Sequence, residues 1–457
     1  MNRVTNRAWI VVLFILILVG GMGFFLTEYV MESENWVNFT GSPHVYSKSN
    51  LGTGLVYDRN GELLMDNSDG RVYASDSQLR KATVHWLGDR QGNISAAALA
   101  NYAGAMAGFD VVNGIYSDTE EMGRATLTIS ASVQKTALDA LGDRRGTVAV
   151  YNYKTGEILC AVTSPTYDPD NVPKFDPNNP GVYEGVYLNR FLQSTYTPGS
   201  IFKLVATAAA LDCVDGIEDM TFTCTGVYEF GIDKVTCESR HGSLNLRGAL
   251  ASSCNCSFAQ IAQLIGADNM QRYVKRFGVV DSLTVDHVTT AAGNYDLSDA
   301  AAVELAWSCI GQYTDLINPA AFLKFVGAIA GGGEGAKPYI VSKITAGEET
   351  TYRAETEMGD RIISKAVAQT LTEYMRNNVK SIYGDWNFGG LSVCAKSGTS
   401  QQGGDKASNA MFAGFVQDED YPLAFIVVVE GGGYGSSTCV PILSRVLNAC
   451  RTVLDGE

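Results

Sequence analysis

The sequence predicts an α+β fold in which helices pack on a mainly antiparallel sheet. Two strand-like segments, Met411 to Val416 and Leu423 to Glu430, flank the polar turn Asp418 to Tyr421 and predict a hairpin. A third segment, Leu391 to Thr399, follows two glycines and also predicts a strand. The run from Ile201 to Leu211 is almost wholly apolar, which is typical of a helix buried on nearly all of its faces.

An uncharged N-terminal stretch, Trp9 to Thr27, is about as long as a helix must be to cross the hydrocarbon core of a bilayer. Arg3 and Arg7 precede it and glutamates follow it, so the positive-inside rule places residues 1–8 in the cytoplasm and the rest outside. A cleaved signal peptide is the competing interpretation, but its candidate cleavage site, Gly21-Met22-Gly23, lies inside the apolar run. The sequence therefore predicts a single transmembrane helix over residues 9–27.

The segment between this stretch and residue 125 differs in character from the rest of the chain. Gly54 to Leu64 predicts a hairpin about an Asn-Gly turn, and the alanine-rich stretch Ser95 to Met106 predicts a helix. His85 and Trp86 are expected to pack rather than to take part in chemistry. Residues 28–125 are thus expected to form a small domain.

Loop and helix signals divide the remaining chain. Residues 164–183 are rich in Pro, Asp and Asn and predict a surface loop over the sheet. Leu246 to Ser252 predicts a helix, and three glycines after the hairpin lead to a final amphipathic helix, Pro441 to Leu454. A net charge of −15 without any basic stripe argues against nucleic acid as a partner.

Ser200 and Lys203 form the first candidate site. Thr197-Pro198-Gly199 ends an irregular stretch, so a helix is predicted to begin at Ser200, and residues three apart share a helix face. An ammonium group in an apolar site near a helix N-terminus is shifted toward its neutral form, and a neutral amine can accept the serine proton. The pair predicts an activated nucleophile. For this motif standing alone, a surface serine beside a snorkelling lysine is the alternative.

Two further motifs follow in order along the chain. Ser253-Cys254-Asn255 follows a helix-like segment and can place a hydroxyl and a carboxamide on the opposite wall of a cleft. In Lys396-Ser397-Gly398-Thr399 the glycine lets a ligand approach the strand edge, while the lysine and the threonine hydroxyl can hold a carboxylate. An ordinary edge strand with a solvated lysine is the alternative for this motif alone. The order of all three favours one acyl-transfer site.

With these motifs the chain resembles class B penicillin-binding proteins, the serine DD-transpeptidases of bacterial cell-wall synthesis. The similarity covers essentially residues 125 to 450 and extends to several segments outside the three motifs. These segments are Leu127-Thr128-Ile129 with Gln134, Gly146 to Pro169, Asn189-Arg190, Gly311-Gln312, Asn318-Pro319 and Phe412 to Phe415. The resemblance implies a serine transpeptidase/β-lactamase-like domain over residues 126–457, with helices on both sides of an antiparallel sheet. It also implies a non-catalytic pedestal over residues 28–125.

The resemblance further implies a role for each motif residue. Ser200 would attack a carbonyl of the D-Ala-D-Ala stem peptide, with Lys203 as its base. Ser253 would relay a proton to the leaving amine, and Asn255 would orient Lys203 and the substrate amide. The residues expected to bind substrate are Lys396, Ser397, Gly398 and Thr399. The lysine and the threonine hydroxyl of that strand would hold the terminal carboxylate, and the backbone N–H groups of Ser200 and the same threonine would form the oxyanion hole.

The same resemblance implies that β-lactams acylate Ser200. No segment resembles the glutamate loop that deacylates class A β-lactamases, which favours a transpeptidase over a β-lactamase. Cys254 and Ser397 stand where the common pattern has Asp and Thr, and this leaves the subgroup open. The implied partners are the stem peptide, β-lactams, the membrane and a glycan polymerase of the shape-and-division family, with no cofactor or metal. The alternative functions are a structural partner and activator of that polymerase, with secondary catalysis, and a β-lactamase. The choice among elongation, division and sporulation stays open.

Ten cysteines are more than an exported enzyme needs. Cys224 and Cys237 lie in a segment that resembles a family insertion, and they are the only disulfide candidates. A zinc site that uses His241 is the alternative, but a fourth ligand at a spacing typical of metal sites is missing. Cys254 and Cys394 lie beside the motifs without an adjacent histidine, so we expect them to be inert small hydrophobes.

Overall fold

The computed structural model has the predicted α+β architecture. It describes residues 2–37, 46–47, 50–51, 54–68, 70–102, 105–106, 123–174, 176, 181–404 and 406–456. The α-helices are α1 (Asn2–Val37), α2 (Ser77–Leu87), α3 (Ala131–Leu141), α4 (Arg190–Gln193), α5 (Lys203–Cys213), α6 (Leu246–Ala251), α7 (Asn255–Ile265), α8 (Ala267–Phe277), α9 (Ala302–Cys309), α10 (Pro319–Ala330), α11 (Lys365–Asn378) and α12 (Gly435–Leu454). Shorter helical turns are Ala98–Asn101, Gly181–Tyr183, Gly199–Phe202, Val379–Tyr383 and Asp385–Phe388.

The strands fall into two larger sheets and several two-stranded pairs. They are β1 (Tyr46–Ser47), β2 (Asn50–Leu51), β3 (Leu55–Tyr57), β4 (Leu63–Asp66), β5 (Val72–Tyr73), β6 (Arg124–Leu127), β7 (Gly146–Asn152), β8 (Ile158–Ser164), β9 (Thr221–Cys224), β10 (Val227–Phe230), β11 (Asp233–Thr236), β12 (Gly242–Asn245), β13 (Thr284–Val285), β14 (Val288–Thr289), β15 (Val341–Ala346), β16 (Glu349–Arg353), β17 (Val393–Ser400), β18 (Asn409–Val416) and β19 (Leu423–Val429).

The central sheet is antiparallel throughout, in the order β17-β18-β19-β7-β8. β18 and β19 form the predicted hairpin, and β17 is the strand predicted over Leu391 to Thr399. Side chains alternate between the faces of a strand, so Met411 and Ala413 pack in the core beneath α10, whereas Phe412 packs in the core beneath α12. Helices therefore cover both faces of the sheet, as expected.

The second sheet has the order β16-β15-β6-β3-β4-β5. β3 and β4 form the predicted hairpin, and in their turn Asp58 Oδ1 accepts hydrogen bonds from the N–H groups of Asn60 (2.9 Å) and Glu62 (2.8 Å). β15 and β16 come from much later in the chain and pair beside β6. The sheet that contains the N-terminal strands is thus completed by strands from the C-terminal part.

α2 packs the N-terminal part against the central sheet. Trp86 Nε1 donates to the carbonyl of Ala161 in β8 at 2.6 Å, and the His85 ring lies 2.8 Å from the carbonyl of Val186. Burial lowers the pKa of His85 to about 4, so this ring is neutral at pH 7. Both residues therefore pack, as predicted.

Two predicted helices differ in extent from those observed. From Ser95 to Tyr102 the only helical element is the short turn Ala98–Asn101, residues 103–104 lie outside the described part, and residues 105–106 are helical again. Ala96, Ala97 and Ala98 are buried, so tertiary packing has overridden the helix propensity of this part of the stretch. The last helix begins at Gly435 rather than Pro441, because Cys439 and Val440 ahead of the proline pack into the core. Across the described residues of 164–183 the only helix is Gly181–Tyr183, consistent with a loop.

α1 contains the predicted transmembrane stretch. The segment Arg7–Met31 has 25 residues, and its most apolar stretch of 18 residues has a mean hydropathy of 2.8 and is not buried against the rest of the described chain. By length and composition this helix can cross a bilayer.

Candidate active site

Ser200 lies in a tight turn between the edge of the central sheet and α5. The turn is a 3₁₀ helix, Gly199–Phe202, and α5 continues from it at Lys203, so the helix predicted at Ser200 is confirmed with a tighter first turn. Gly199 has a φ of +55°, and a Cβ there would lie 2.6 Å from the carbonyl oxygen of Thr399. Only glycine allows the serine turn to approach β17 this closely.

The amine of Lys203 is fully buried and surrounded by oxygen atoms. Its Nζ lies 3.0 Å from Ser200 Oγ, 2.7 Å from Ser253 O, 3.1 Å from Ser253 Oγ and 2.8 Å from Asn255 Oδ1. The carbonyl and carboxamide oxygens only accept hydrogen bonds, so they take two of the amine protons. Burial lowers the pKa of Lys203 to about 8. A neutral Lys203 then has a lone pair for the Ser200 hydroxyl, as a general base requires.

Ser253 and Asn255 reach this amine from the start of α7. Ser253 has a left-handed backbone with a φ of +51°, which is uncommon for a residue other than glycine. Its carbonyl and its hydroxyl both contact Lys203. The Asn255 Nδ2 donates to the carbonyl of Thr236 at 2.9 Å, and this bond turns Oδ1 toward Lys203. The two side chains form the wall opposite the serine turn.

Lys396 is the second buried lysine of the site. Its Nζ donates to the Ser397 carbonyl at 2.7 Å and lies 3.1 Å from Ser253 Oγ. Burial, together with the nearby charge of Lys203, lowers the pKa of Lys396 well below its usual value. One hydroxyl, that of Ser253, therefore contacts the amines of both lysines, an arrangement that can carry a proton between them.

The free edge of β17 faces the serine turn. The Ser397 N–H donates to the Tyr383 hydroxyl at 2.9 Å, and Ser397 Oγ lies 3.0 Å from the same hydroxyl. Backbone N–H groups alternate along a strand, so the N–H of Thr399 points from the same edge. The Thr399 hydroxyl accepts from the Gly435 N–H at 3.2 Å, which leaves its proton for a ligand. A Cβ at Gly398 would lie 3.0 Å from atoms of the serine turn, so glycine permits this contact too.

The structure thus unites the predicted residues of all three motifs. The five that form one hydrogen-bond network are Ser200, Lys203, Ser253, Asn255 and Lys396. The sequence did not indicate Tyr383, which holds Ser397, or Thr236, which holds Asn255. Both contacts join residues that are more than ten positions apart in the chain, and no local sequence pattern predicts them.

The cysteines near the motifs differ from expectation in one respect. Cys224 and Cys237, the predicted disulfide candidates, are free thiols in the structure. Cys254 is buried beside them and is the N-cap of α7, accepting from the Ser257 N–H at 3.4 Å. Burial raises the pKa of Cys394 to about 12, which agrees with the inert role predicted for it.

Comparison with known proteins identifies relatives of this chain. Residues 146–448 match the transpeptidase family, described as the penicillin-binding protein transpeptidase domain. The chain is 29% identical over 347 residues to the peptidoglycan D,D-transpeptidase PbpA of Mycolicibacterium smegmatis, which is 68% of each chain. The ceftriaxone acyl-enzyme of penicillin-binding protein A from M. tuberculosis has a similar fold, with a TM-score of 0.76 and 23% identity over 88% of this chain and 99% of that one. A D,D-transpeptidase domain from Eggerthella lenta gives a TM-score of 0.73 at 23% identity, over 88% and 98% of the two chains.

Proposed function

The chain belongs to the penicillin-binding protein transpeptidase family as a class B member, and on this premise we propose that it is a membrane-anchored DD-transpeptidase that cross-links peptidoglycan stem peptides through Ser200. Enzymes of this kind transfer an acyl group through a serine ester. The observation that carries the proposal is the fully buried Lys203 amine, 3.0 Å from the Ser200 hydroxyl. A surface serine beside a solvated lysine would have neither this burial nor this contact.

In the acylation step Ser200 Oγ attacks the carbonyl between the two terminal D-alanines. The Ser200 proton passes to the neutral amine of Lys203, and the carbonyl oxygen becomes an oxyanion held by the N–H groups of Ser200 and Thr399. The carbon–nitrogen bond then breaks, and Ser253 passes a proton from the lysines to the leaving D-alanine nitrogen. The stem peptide is left as an ester on Ser200.

Substrate binding is assigned to the edge of β17. The terminal carboxylate of the stem peptide would face Lys396, Ser397 and the hydroxyl of Thr399, while Asn255 orients the substrate amide. Gly398 has no side chain to obstruct the ligand along this edge. A β-lactam presents a carboxylate and a reactive amide in similar positions, so we expect it to acylate Ser200 as well.

The second half of the reaction decides the product. An acceptor amine attacks the Ser200 ester, gives its proton to Lys203, and leaves as the cross-linked peptide with Ser200 restored. We propose transfer to an amine rather than to water, because the sequence offers no segment like the deacylating glutamate loop of class A β-lactamases. The penicilloyl ester should accordingly persist.

We further propose that α1 anchors the protein, with residues 1–8 in the cytoplasm and the pedestal (28–125) and catalytic region (126–457) outside. The arginines before the apolar segment and the length of that segment support this orientation. A glycan polymerase of the shape-and-division family is the proposed protein partner, on the basis of the family alone. One structural neighbour is a complex of a penicillin-binding protein with MreC from Helicobacter pylori. That complex shows a partner of the Helicobacter pylori protein.

The test uses the full chain in detergent. Intact-mass spectrometry after incubation with penicillin should show one penicilloyl adduct, absent from Ser200→Ala and retained by Ser252→Ala, a nearby serine outside the network. With a chromogenic cephalosporin the wild type should give a single stoichiometric burst, and with a stem peptide plus a D-amino acid it should form the amine-transfer product. An adduct of undiminished yield on Ser200→Ala would refute the nucleophile. Many rapid turnovers would make the protein a β-lactamase.

A further inference from the structure

Four side chains that could bind a metal converge beside the second motif. They belong to Cys224, Cys237, His241 and Cys254, and their ligand atoms all lie within 4.8 Å of one another. His241 Nδ1 lies 3.6 Å from Cys224 Sγ and 3.4 Å from Cys237 Sγ, while Cys237 Sγ lies 3.9 Å from Cys254 Sγ. The fourth ligand that the sequence failed to provide is Cys254, the middle residue of the motif itself.

Two small two-stranded sheets and one helix assemble this cluster. β9 pairs with β12 and places Cys224 opposite Gly242, next to His241. β10 pairs with β11, and Cys237 follows β11 directly, where its N–H donates to the carbonyl of Gly226 at 2.9 Å. Cys254 is fully buried as the N-cap of α7. Ligands from three separate segments therefore meet at one point.

Three of the six separations between the ligand atoms match those of a tetrahedral metal site, and all six are within 4.8 Å. With Zn–S bonds of about 2.3 Å and Zn–N bonds of about 2.0–2.1 Å, tetrahedral angles place two sulfurs about 3.8 Å apart and a sulfur and a nitrogen about 3.5 Å apart. The observed 3.9 Å, 3.6 Å and 3.4 Å lie close to these values. A disulfide needs sulfurs about 2.05 Å apart, much closer than those of Cys237 and Cys254. Three thiols and one imidazole are donors that suit zinc.

Neighbouring groups orient the ligands. The Ser239 hydroxyl lies 3.1 Å from His241 Nε2, so the ring can donate its Nε2 proton there and turn the Nδ1 lone pair toward the sulfurs. The Ser257 N–H and hydroxyl lie 3.4 Å and 3.2 Å from Cys254 Sγ, so both can donate to this sulfur when it binds a metal. We propose that Cys224, Cys237, His241 and Cys254 bind one zinc ion as a structural site.

This ion would hold the second motif in place. Cys254 lies between Ser253, whose backbone is left-handed, and Asn255, whose Nδ2 donates to the carbonyl of Thr236 beside Cys237. A metal bound by Cys237 and Cys254 would therefore fix the positions of Ser253 and Asn255, the two residues that contact Lys203 from this side of the site. The four ligands are positioning residues, and this part of the proposal rests on the proposed function.

The zinc content of the purified protein tests the proposed site directly. The full chain, purified in detergent with a tag that lacks histidines, with reductant and without chelator, should contain about one zinc per chain. Each of Cys224→Ser, Cys237→Ser, His241→Ala and Cys254→Ser should lose it. The matched control Cys256→Ser, a buried cysteine next to but outside the four, should retain it. Ser239→Ala should bind zinc about 10–100-fold more weakly, as is usual when a group that orients a ligand is removed.

A second measurement uses only the wild-type protein, so it tests the site even if the variants fail to fold. Wild-type protein is stripped with a chelator and titrated with Co²⁺ alone, which should give the intense visible bands of tetrahedral thiolate-bound cobalt. Wild type without stoichiometric zinc, with three freely alkylated thiols, would overturn the site. So would a Cys224–Cys237 disulfide found by peptide mapping after thiol blocking at lysis.

The positioning role has its own readout. Loss of zinc should slow penicillin acylation at least about tenfold, the lower end of the effect expected for outer-shell groups. Zinc restored to the stripped wild type should recover the rate. A zinc-containing protein whose acylation is unaffected by stripping would refute the positioning role and leave the metal site standing. Zinc content is measured without penicillin, so failure of the proposed function is seen separately.

Discussion

Ser200 Oγ and Lys203 Nζ lie 3.0 Å apart at the junction between the 3₁₀ turn and α5. The lysine has no exposed surface, so its protonation state is set by the protein rather than by bulk water. Neither of the two oxygens of Ser253 nor the carboxamide of Asn255 carries a charge that would favour the ammonium form. This pair therefore determines how acylation responds to pH.

Acylation should accelerate with rising pH through about 8, the lowered pKa of Lys203, and then level off. Only the neutral amine accepts the Ser200 proton, and lowering the pKa enlarges the neutral fraction at pH 7. Lys203→Arg stays protonated and should slow acylation by about 100-fold or more. Stopped-flow labelling with fluorescent penicillin measures both, with Lys154→Arg on an exposed turn as the control. A rate that rises only near pH 10, about the value of a free lysine, would contradict the mechanism.

Removal of the hydroxyl shared by the two lysines should impair proton transfer. Ser253→Gly should slow acylation by about 100-fold, in the range of general acid–base effects. Glycine adopts the φ of +51° without strain, so this variant should unfold at the same or a higher temperature than wild type. Labelling and thermal unfolding are measured together, with Ser252→Ala as the control. Wild-type labelling by Ser253→Gly would remove Ser253 from the proton path.

The close approach of the serine turn to β17 depends on Gly199. In Gly199→Ala the new Cβ would lie 2.6 Å from the Thr399 carbonyl, so the strand edge must move and penicillin labelling should fall. Gly216→Ala is a matched control, because Gly216 also has a positive φ, +70°, but no atom within 4 Å of the added Cβ. Both variants should lose about 1–2 kcal/mol to left-handed strain, and Gly199→Ala about 1–3 kcal/mol more to overpacking. Equal losses of stability and labelling in the two variants would show that the contact is unimportant.

α1 should hold the protein in the membrane. The full chain should stay in the membrane pellet after an alkaline carbonate wash, whereas deletion of residues 2–31 should release it, because the apolar segment buries none of its surface against the described chain. External protease should digest the catalytic region of intact spheroplasts if the positive-inside rule applies. An intact mass that lacks the N-terminal segment would show a cleaved signal peptide instead.

Some parts of the site follow from local sequence. Ser200 and Lys203 are three apart in an apolar run, so any helical turn there brings their side chains together. The strand of Lys396 to Thr399 could be predicted because it combines glycine with a strand-like pattern beside a recognisable hairpin. The alanine-rich stretch from Ser95 does not begin with the predicted helix, because helix propensity is weak compared with the burial of Ala96, Ala97 and Ala98.

The sequence by itself determined the α+β class, the order of the three motifs and the apolar N-terminal segment, because each depends on residues that are neighbours in the chain. Only the tertiary structure decided which oxygens surround the Lys203 amine, that Tyr383 holds Ser397, and that Cys254 meets Cys224, Cys237 and His241. These contacts join segments separated by many residues, and chain packing sets their distances. Burial also comes from packing, and it gives Lys203 the lowered pKa that the proposed chemistry needs.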